Sequence, residues 1–400
     1  MKSELRIPFY LTWKHLIRGN KWTLLLIIFL MAVAFINLIF VASLFNGIID
    51  NTNKQIINTS TGHIFITPRE GNDYIDNVDQ VLPIIEKTEN VVAASSQMTV
   101  PASLKYKNIK GNWQILAVNP DDEKNVTNVS QKMIEGSYLS PDDTDQIIIG
   151  RQIAGGEDVE NNAFSFKGAR VGEKVTLSFD SVTREFTIKG VFYANFINTD
   201  ERAFITQKAL KEMMPTLDNK ATTIVVKLSE TGIEKETIKK LKANGIDVNI
   251  YSWEEAAGLM ASITKSFLSI NVIMSFVAIL IAAVTIFIVI YIDISNKKKQ
   301  IGILRAIGVK PYIIVSSYLI QTAVYSVAGV LLGTGLFYAA IAPYFIAHPF
   351  ELPIGDATLL VNFPDFIARA ESIIWVAILA GLIPAILITR IKILDAIRER

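Results

Sequence analysis

Residues 297–312 read KKKQIGILRAIGVKPY and lie between two long apolar stretches. Ile301, Leu304 and Ile307, with Ile303 and Val309 beside them, recur at helical spacing behind Lys297, Lys298 and Lys299. Gly308 supplies a helix stop, and Pro311, three residues later, cannot continue the helix. The segment reads as a short amphipathic helix on the inner face of a membrane, its cationic end toward the cytoplasm. Two roles fit it: a positive-inside anchor in the interface, or a docking helix for a cytoplasmic partner. Choosing between them needs the whole chain.

Half of the 400 residues are apolar, which suits a membrane protein with a large water-exposed part. There is no cysteine, so disulfides, thiol chemistry and Cys-based metal sites are excluded. Four windows carry no charge: 22–46, 266–292, 312–342 and 372–389. A helix needs about 20 residues to cross about 30 Å of hydrocarbon. The first three windows are long enough, and the shorter fourth, which contains Pro384, remains a credible span. The first is longer than the apolar region of a signal peptide and lacks an Ala-x-Ala site after it, so it reads as a retained helix.

Charge sets the expected topology. Lys and Arg number five in 1–21, five in 293–311 and four in 390–400, against one, one and two acids. The 343–371 loop has only Arg369 against four acids, and the segment before the second span holds 24 basic and 30 acidic residues. Lys/Arg excess marks the cytoplasmic side. Both termini and 293–311 are therefore expected inside, and 47–265 and 343–371 outside.

Residues 4–20 place Leu5, Phe9, Trp13 and Leu16 on one helical face, an interfacial helix leading into the first span, with His15 an ordinary interfacial residue. No proline occurs between Pro8 and Pro68, so the first span runs on toward residue 57. The outer segment then shows strand-like runs at 62–68, 91–100, 102–107, 113–118, 146–149, 174–179, 184–193, 202–206 and 222–228, with helices expected at 78–88, 206–214 and 233–244. Many short strands and few helices read as α+β. Asn119-Pro120-Asp121-Asp122 and Ser140-Pro141-Asp142-Asp143 read as turns, and residues of about 120–190 as a second subdomain. Ser252 and Glu255 form a capping-box pattern. From 253 to 292 there is no proline, giving a stiff rod into the membrane if the helix is continuous; the alternative is a break near Gly258 or Ser262. Gly329 and Gly333 have the spacing that lets membrane helices approach closely, with Gly335 nearby.

The fold class expected is an α-helical membrane protein with four transmembrane helices plus a large extracytoplasmic α+β domain inserted between helices 1 and 2. The boundaries are 1–21 amphipathic helix, 22–46 first span, 47–265 outer domain, 266–292 second span, 293–311 cytoplasmic loop and helix, 312–342 third span, 343–371 outer loop, 372–389 fourth span and 390–400 tail. No glycine is followed by lysine, so there is no Walker A motif, and HExxH, GxSxG and a Cys nucleophile are all absent. His15, His63 and His348 are isolated, and no acid falls in the charge-free windows to carry a proton relay. Catalytic, cofactor and metal sites are therefore all expected to be none, and no nucleic-acid partner is expected.

KKKQIGILRAIGVKPYII resembles the cytoplasmic coupling loop of the MacB/FtsX/Lol-type ABC permeases, in which a basic run precedes Glu-Ile-Gly-Ile-Leu-Arg-Ala-Ile-Gly. The match runs from Ile301 to Gly308, and Gln300 stands where the family usually has Glu. The tail 394–398, LDAIR, resembles the family's closing Pro-x-Glu-Ala-Leu-Arg ending, with Leu394 where proline is common. WKHLIRGNKW resembles its N-terminal amphipathic helix. EGSYLSPDDTDQIIIGRQIA, VGEKVTL and FTIKGVFYANF resemble its periplasmic core domain, and TGHIFITP is closer to the lipoprotein-releasing branch.

That resemblance implies a permease, not an enzyme, working as a pair with a second copy or a similar chain and bound to a separate cytoplasmic ABC ATPase. ATP and Mg are bound by that partner, with no cofactor in this chain. ATPase coupling falls to Lys297, Lys298, Lys299, Gln300, Ile301, Gly302, Leu304, Arg305, Ala306 and Gly308. Expected contacts also include membrane lipids and an amphiphilic extracytoplasmic substrate or partner protein. The implied function is extrusion or release of a lipoprotein, lipid, peptide or drug from the membrane. The alternative is a non-transporting signal transmitter or scaffold that controls a cell-wall hydrolase or senses an extracellular ligand.

Overall fold

The computed structural model describes residues 6–18, 20–156, 159, 162–180, 182–246, 248–350, 352 and 356–390; the tail at 391–400 lies outside these. The chain divides into a helical unit (residues 1–49, 266–350 and 357–400) and an outer unit (50–265 and 351–356).

In the helical unit the N-terminal helix Arg6–Arg18 precedes four helices long and apolar enough to cross a membrane. The first span, Lys21–Ile56, carries on past residue 46, and its 36 residues measure about 54 Å. Asn20 starts it, its Oδ1 accepting from Trp22 N at 3.0 Å. The second span, Leu259–Asn296, is not continuous with the turn Trp253–Ala256 that Ser252 and Glu255 cap. The break falls at Gly258, whose φ of +50° is left-handed and interrupts the helical ladder. The continuous rod from 253 is thereby corrected. This span also ends later than its charge-free window, so Asp293 lies buried in its last turn and the span does hold an acid.

The third span, Pro311–Leu336, widens into a π-helical turn at Phe337–Ile341, and the fourth begins nine residues before its window, at Phe363, ending at Arg390 with Pro384 inside. Gly329 and Gly333 receive the first span: a Cβ at 329 would collide with Met31, and one at 333 would sit 3.0 Å from Ala32 O. Gly335 faces open space. Gly329→Leu is expected to cost about 1–3 kcal/mol by overpacking, seen as a lower thermal midpoint of the detergent-solubilised protein. Gly335→Leu should leave the midpoint unchanged.

The outer unit is built on one ten-stranded sheet. Its strands run β12 (Asn249–Ser252), β1 (Ile64–Thr67), β11 (Thr223–Leu228), β3 (Val91–Tyr106), β4 (Ile109–Val118), β9 (Arg202–Thr206), β6 (Gln146–Gly150), β8 (Val182–Phe192) and β5 (Met133–Gly136). Strand β7 (Lys174–Phe179) pairs with both β3 and β8. A separate ribbon joins β2 (Ile75–Asp76) to β10 (Lys220–Ala221). The sheet is covered on both faces, so β4 buries all of Ile115, Leu116, Ala117 and Val118, the odd pair in one core and Leu116 and Val118 in another.

Two local expectations change. The runs at 91–100 and 102–107 are a single strand through Pro101. Pro101 pairs with Gln114 of β4, while β11 pairs β3 only from 91 to 97 and β7 only from 103 to 105. The proline therefore sits where one side of β3 needs no ladder donor. Asn119-Pro120 is a helix start: Asn119 Oδ1 accepts from Asp121 N at 3.1 Å, Pro120 opens the helix Pro120–Val126, and the turn reading fails because Pro is favoured in the first helical turn. Within 120–190, β5, β6 and β7 all pair with β8, and this group joins the common sheet through β6–β9 and β7–β3.

That helix delivers Glu123 into the interior. Its carboxylate is 1% exposed and accepts from Ser95 Oγ at 2.7 Å, Gln97 Nε2 at 3.0 and 3.1 Å, and Thr127 Oγ1 at 3.0 Å. Burial pushes its pKa up, against the pull of those hydrogen bonds and of Arg202.

Candidate functional site

Between the second and third spans, Lys298–Ala306 forms the short helix expected from KKKQIGILRAIG, with Lys297 at its start. Gly308, at φ +96°, ends it: Gly308 N donates to Arg305 O at 3.1 Å and Val309 N to Leu304 O at 3.0 Å. Pro311 then opens the third span at its first turn.

The apolar residues of this helix do not share one face. Ile301 is 3% exposed and packs in the bundle core with Ile290, Ile294, Ile314 and Tyr318; Gly302 is buried and Leu304 is half-buried against the same core. Ile303 and Ile307 are 48% and 73% exposed. With exposed Lys299 and Ala306 they form one outward face at helical spacing, and exposed Lys310 follows just past the helix end. The single stripe of Ile301, Leu304 and Ile307 is thus corrected: the first two root the helix and the third points away. Lys298 and Arg305 are intermediate in exposure, while Gln300 and Gly308 are exposed.

Lys297 does not join the outward cations. Its Nζ pairs with Asp293 at 2.9 Å, and both side chains are largely shielded. Gln321 Nε2 donates to the same carboxylate at 3.4 Å and also bonds the Tyr325 hydroxyl. The N-terminal helix closes over this group: Thr12 Oγ1 donates to Ser317 O at 2.9 Å, and His15 lies 6.1 Å from the Tyr318 ring. His15 is therefore part of a polar cluster, and burial with the nearby Lys297 lowers its pKa.

In the outer unit, the two segments that lead to spans one and two pack together. Ile56 and Ile57 meet Trp253, Phe196 and Ala194 in one buried cluster. The Thr59 and Thr199 hydroxyls share a 2.9 Å hydrogen bond. Asp200 stiffens this junction by accepting from Ala194 N at 2.7 Å and Phe196 N at 3.0 Å, while burial raises its pKa to about 6. A carboxyl raised in the folded state contributes stability below its unfolded pKa and loses it as pH rises through the folded value. Thermal stability should therefore fall between about pH 4 and 6 less steeply in Asp200→Asn than in the unaltered chain.

Residues 24–244 match the MacB-like periplasmic core domain, more than half of the chain. The chain belongs to the MacB/FtsX/Lol-type ABC permeases. Residues 272–393 of this permease match the FtsX-like permease C-terminal region, which spans the short helix and its flanking spans. It is 22% identical to the putative hemin transport system permease protein HrtB of Staphylococcus haemolyticus, covering 73% of this chain and 80% of that one. To the lipoprotein-releasing system transmembrane protein LolC of Buchnera aphidicola it is 24% identical, over 81% of this chain and 80% of that one. Among solved structures, the periplasmic region of MacB from Actinobacillus actinomycetemcomitans is 14% identical, covering 52% of this permease and 95% of that chain, with a TM-score of 0.38. As a permease the chain is a multi-pass membrane protein and a non-catalytic subunit. The outward face at Ile303 and Ile307 escaped the sequence reading of site residues, because a stripe of isoleucines carries no mark of which side meets the bundle.

Proposed function

We propose that this permease transmits ATP-driven motion from a separate cytoplasmic ATPase to its outer domain, and thereby extrudes or releases an amphiphilic substrate from the membrane. The observation that carries the reading is the two-sided helix Lys298–Ala306: Ile301 roots it in the bundle, while Ile303 and Ile307 present apolar surface flanked by Lys299 and Lys310. Exposed apolar side chains among cations suit a protein partner better than open water. The Lys/Arg excess beside this helix supports a cytoplasmic position for it and for both termini.

Motion of the helix reaches spans two and three directly, since it joins them through one turn at each end. Spans one and two lead to the Ile56–Trp253 junction of the outer domain, the place where a pull is delivered. Exposed apolar residues along span two (Val272, Phe276, Leu280) and span one (Leu25, Phe29) suit lipid and a second permease copy. Relatives named for hemin transport and lipoprotein release make an amphiphile the substrate class favoured here.

The test is affinity purification of the tagged chain from native membranes in mild detergent, with co-eluting proteins and lipids identified. A Walker-motif ATPase recovered with a lipoprotein, lipid or other amphiphile is the expected result. Absence of any ATPase, even after cross-linking, returns the helix to a membrane anchor.

A further inference from the structure

A cavity of about 370 Å³ opens in the helical unit between the N-terminal helix, the start of span one and the end of span two, against the Lys298–Ala306 helix. Lys14, Arg18 and Lys297 contribute three cations to its lining; among the described residues Asp293 is its single carboxylate, already engaged by Lys297 at 2.9 Å. With His15 neutral, the wall has an excess of two positive charges. His15 also lines it, and its Nδ1 is shielded from solvent with no hydrogen-bond partner among the described residues.

Gln300 completes the cationic balance. It lines the same cavity at the position where the family pattern has a glutamate, and a carboxylate there would halve the excess charge. The surroundings are interfacial. Trp13 and Ile17 are exposed on the N-terminal helix, and Trp22, Leu25 and Leu26 are exposed on the first turns of span one, beside the lining residues Thr23 and Leu24. A phosphate held by Lys14 and Arg18 would leave its acyl chains these exposed apolar side chains to lie against, and the amphipathic helix suits headgroup depth.

We propose that this cavity binds the phosphate headgroup of an anionic phospholipid and ties the N-terminal helix to the helix between spans two and three. Only the leaflet, the inner one, rests on the orientation given above; the headgroup chemistry does not. A cationic recess charged by two residues of the N-terminal helix and one at the start of the short helix closes when an anion bridges them. The position of the short helix then depends on the lipid around it.

The full chain, purified in mild detergent and stripped of lipid, is titrated with phosphatidylglycerol and with phosphatidylcholine, and bound lipid is counted by native mass spectrometry. Phosphatidylglycerol is expected to bind at least tenfold more tightly. Each charge change at the cavity, in Arg18→Gln or in the near-isosteric Gln300→Glu, is expected to weaken it about five-fold. Gln300 is exposed, so that variant tests the charge without disturbing the fold. Lys310→Gln, at the same end of the unit but outside the cavity, should change nothing. Equal retention of the two lipids, an unchanged Gln300→Glu, or an equal loss in Lys310→Gln overturns the site. Binding of water-soluble glycerophosphoglycerol as tight as that of the lipid shows a free phosphate ester as the ligand and overturns the lipid.

Discussion

Ile307→Asp is expected to release the cytoplasmic ATPase while leaving the permease folded. Ile307 is 73% exposed on the outward face of the Lys298–Ala306 region, next to Ile303 at 48%. An aspartate there costs the permease little, because its carboxylate stays in water. Against a docked partner it replaces an apolar anchor with a charge that must be desolvated, and such anchors are worth 2 kcal/mol or more, about thirty-fold in affinity. The check is a pull-down of the ATPase alongside a thermal melt of the permease. Retention of the ATPase at its original level removes Ile307 from the interface. Ile301→Asp is the informative contrast. That side chain is 3% exposed in the bundle core, so the variant lowers the melt itself. Leu304→Asp mixes both effects, since Leu304 is half-buried against the same core.

Glu123→Ala is expected to be among the most destabilising single changes in the outer domain. Removing the carboxylate strands Ser95 Oγ, Gln97 Nε2 and Thr127 Oγ1, three donors buried with it. It also takes away the acid that favours the charged form of Arg202. Breaking a buried charged network in this way costs about 3–5 kcal/mol. Glu123→Gln keeps an acceptor and the volume, so it should cost only about 1–2 kcal/mol. Thermal or denaturant unfolding of the outer domain within the intact chain separates the two. Equal small losses in both variants would mean that the donors find water instead.

Much of the architecture is legible along the chain, for one physical reason: a lipid core tolerates no charge over about 20 residues. The four spans, the long insertion between the first two, and the basic helix between the second and third follow from charge-free windows and their flanks. Helix ends at Gly308 and Pro311 are equally local, because a left-handed residue and a missing N–H act on their own backbone.

Tertiary structure decided what depends on a second surface. Pro101 stays in a strand because its free side needs no partner there. The odd and even residues of β4 are both buried because both sheet faces are covered. The isoleucines of residues 301–307 sort into a rooted side and an outward side only once the bundle occupies one of them. The sequence alone makes Lys297 one more exposed cation of the basic run, yet its Nζ pairs with Asp293, one helical turn back, in a largely shielded site. Amphipathic periodicity reports that a helix has apolar positions. In a membrane protein, with lipid, neighbouring helices and partner subunits all offering apolar or interfacial surroundings, only packing assigns each position to one of them.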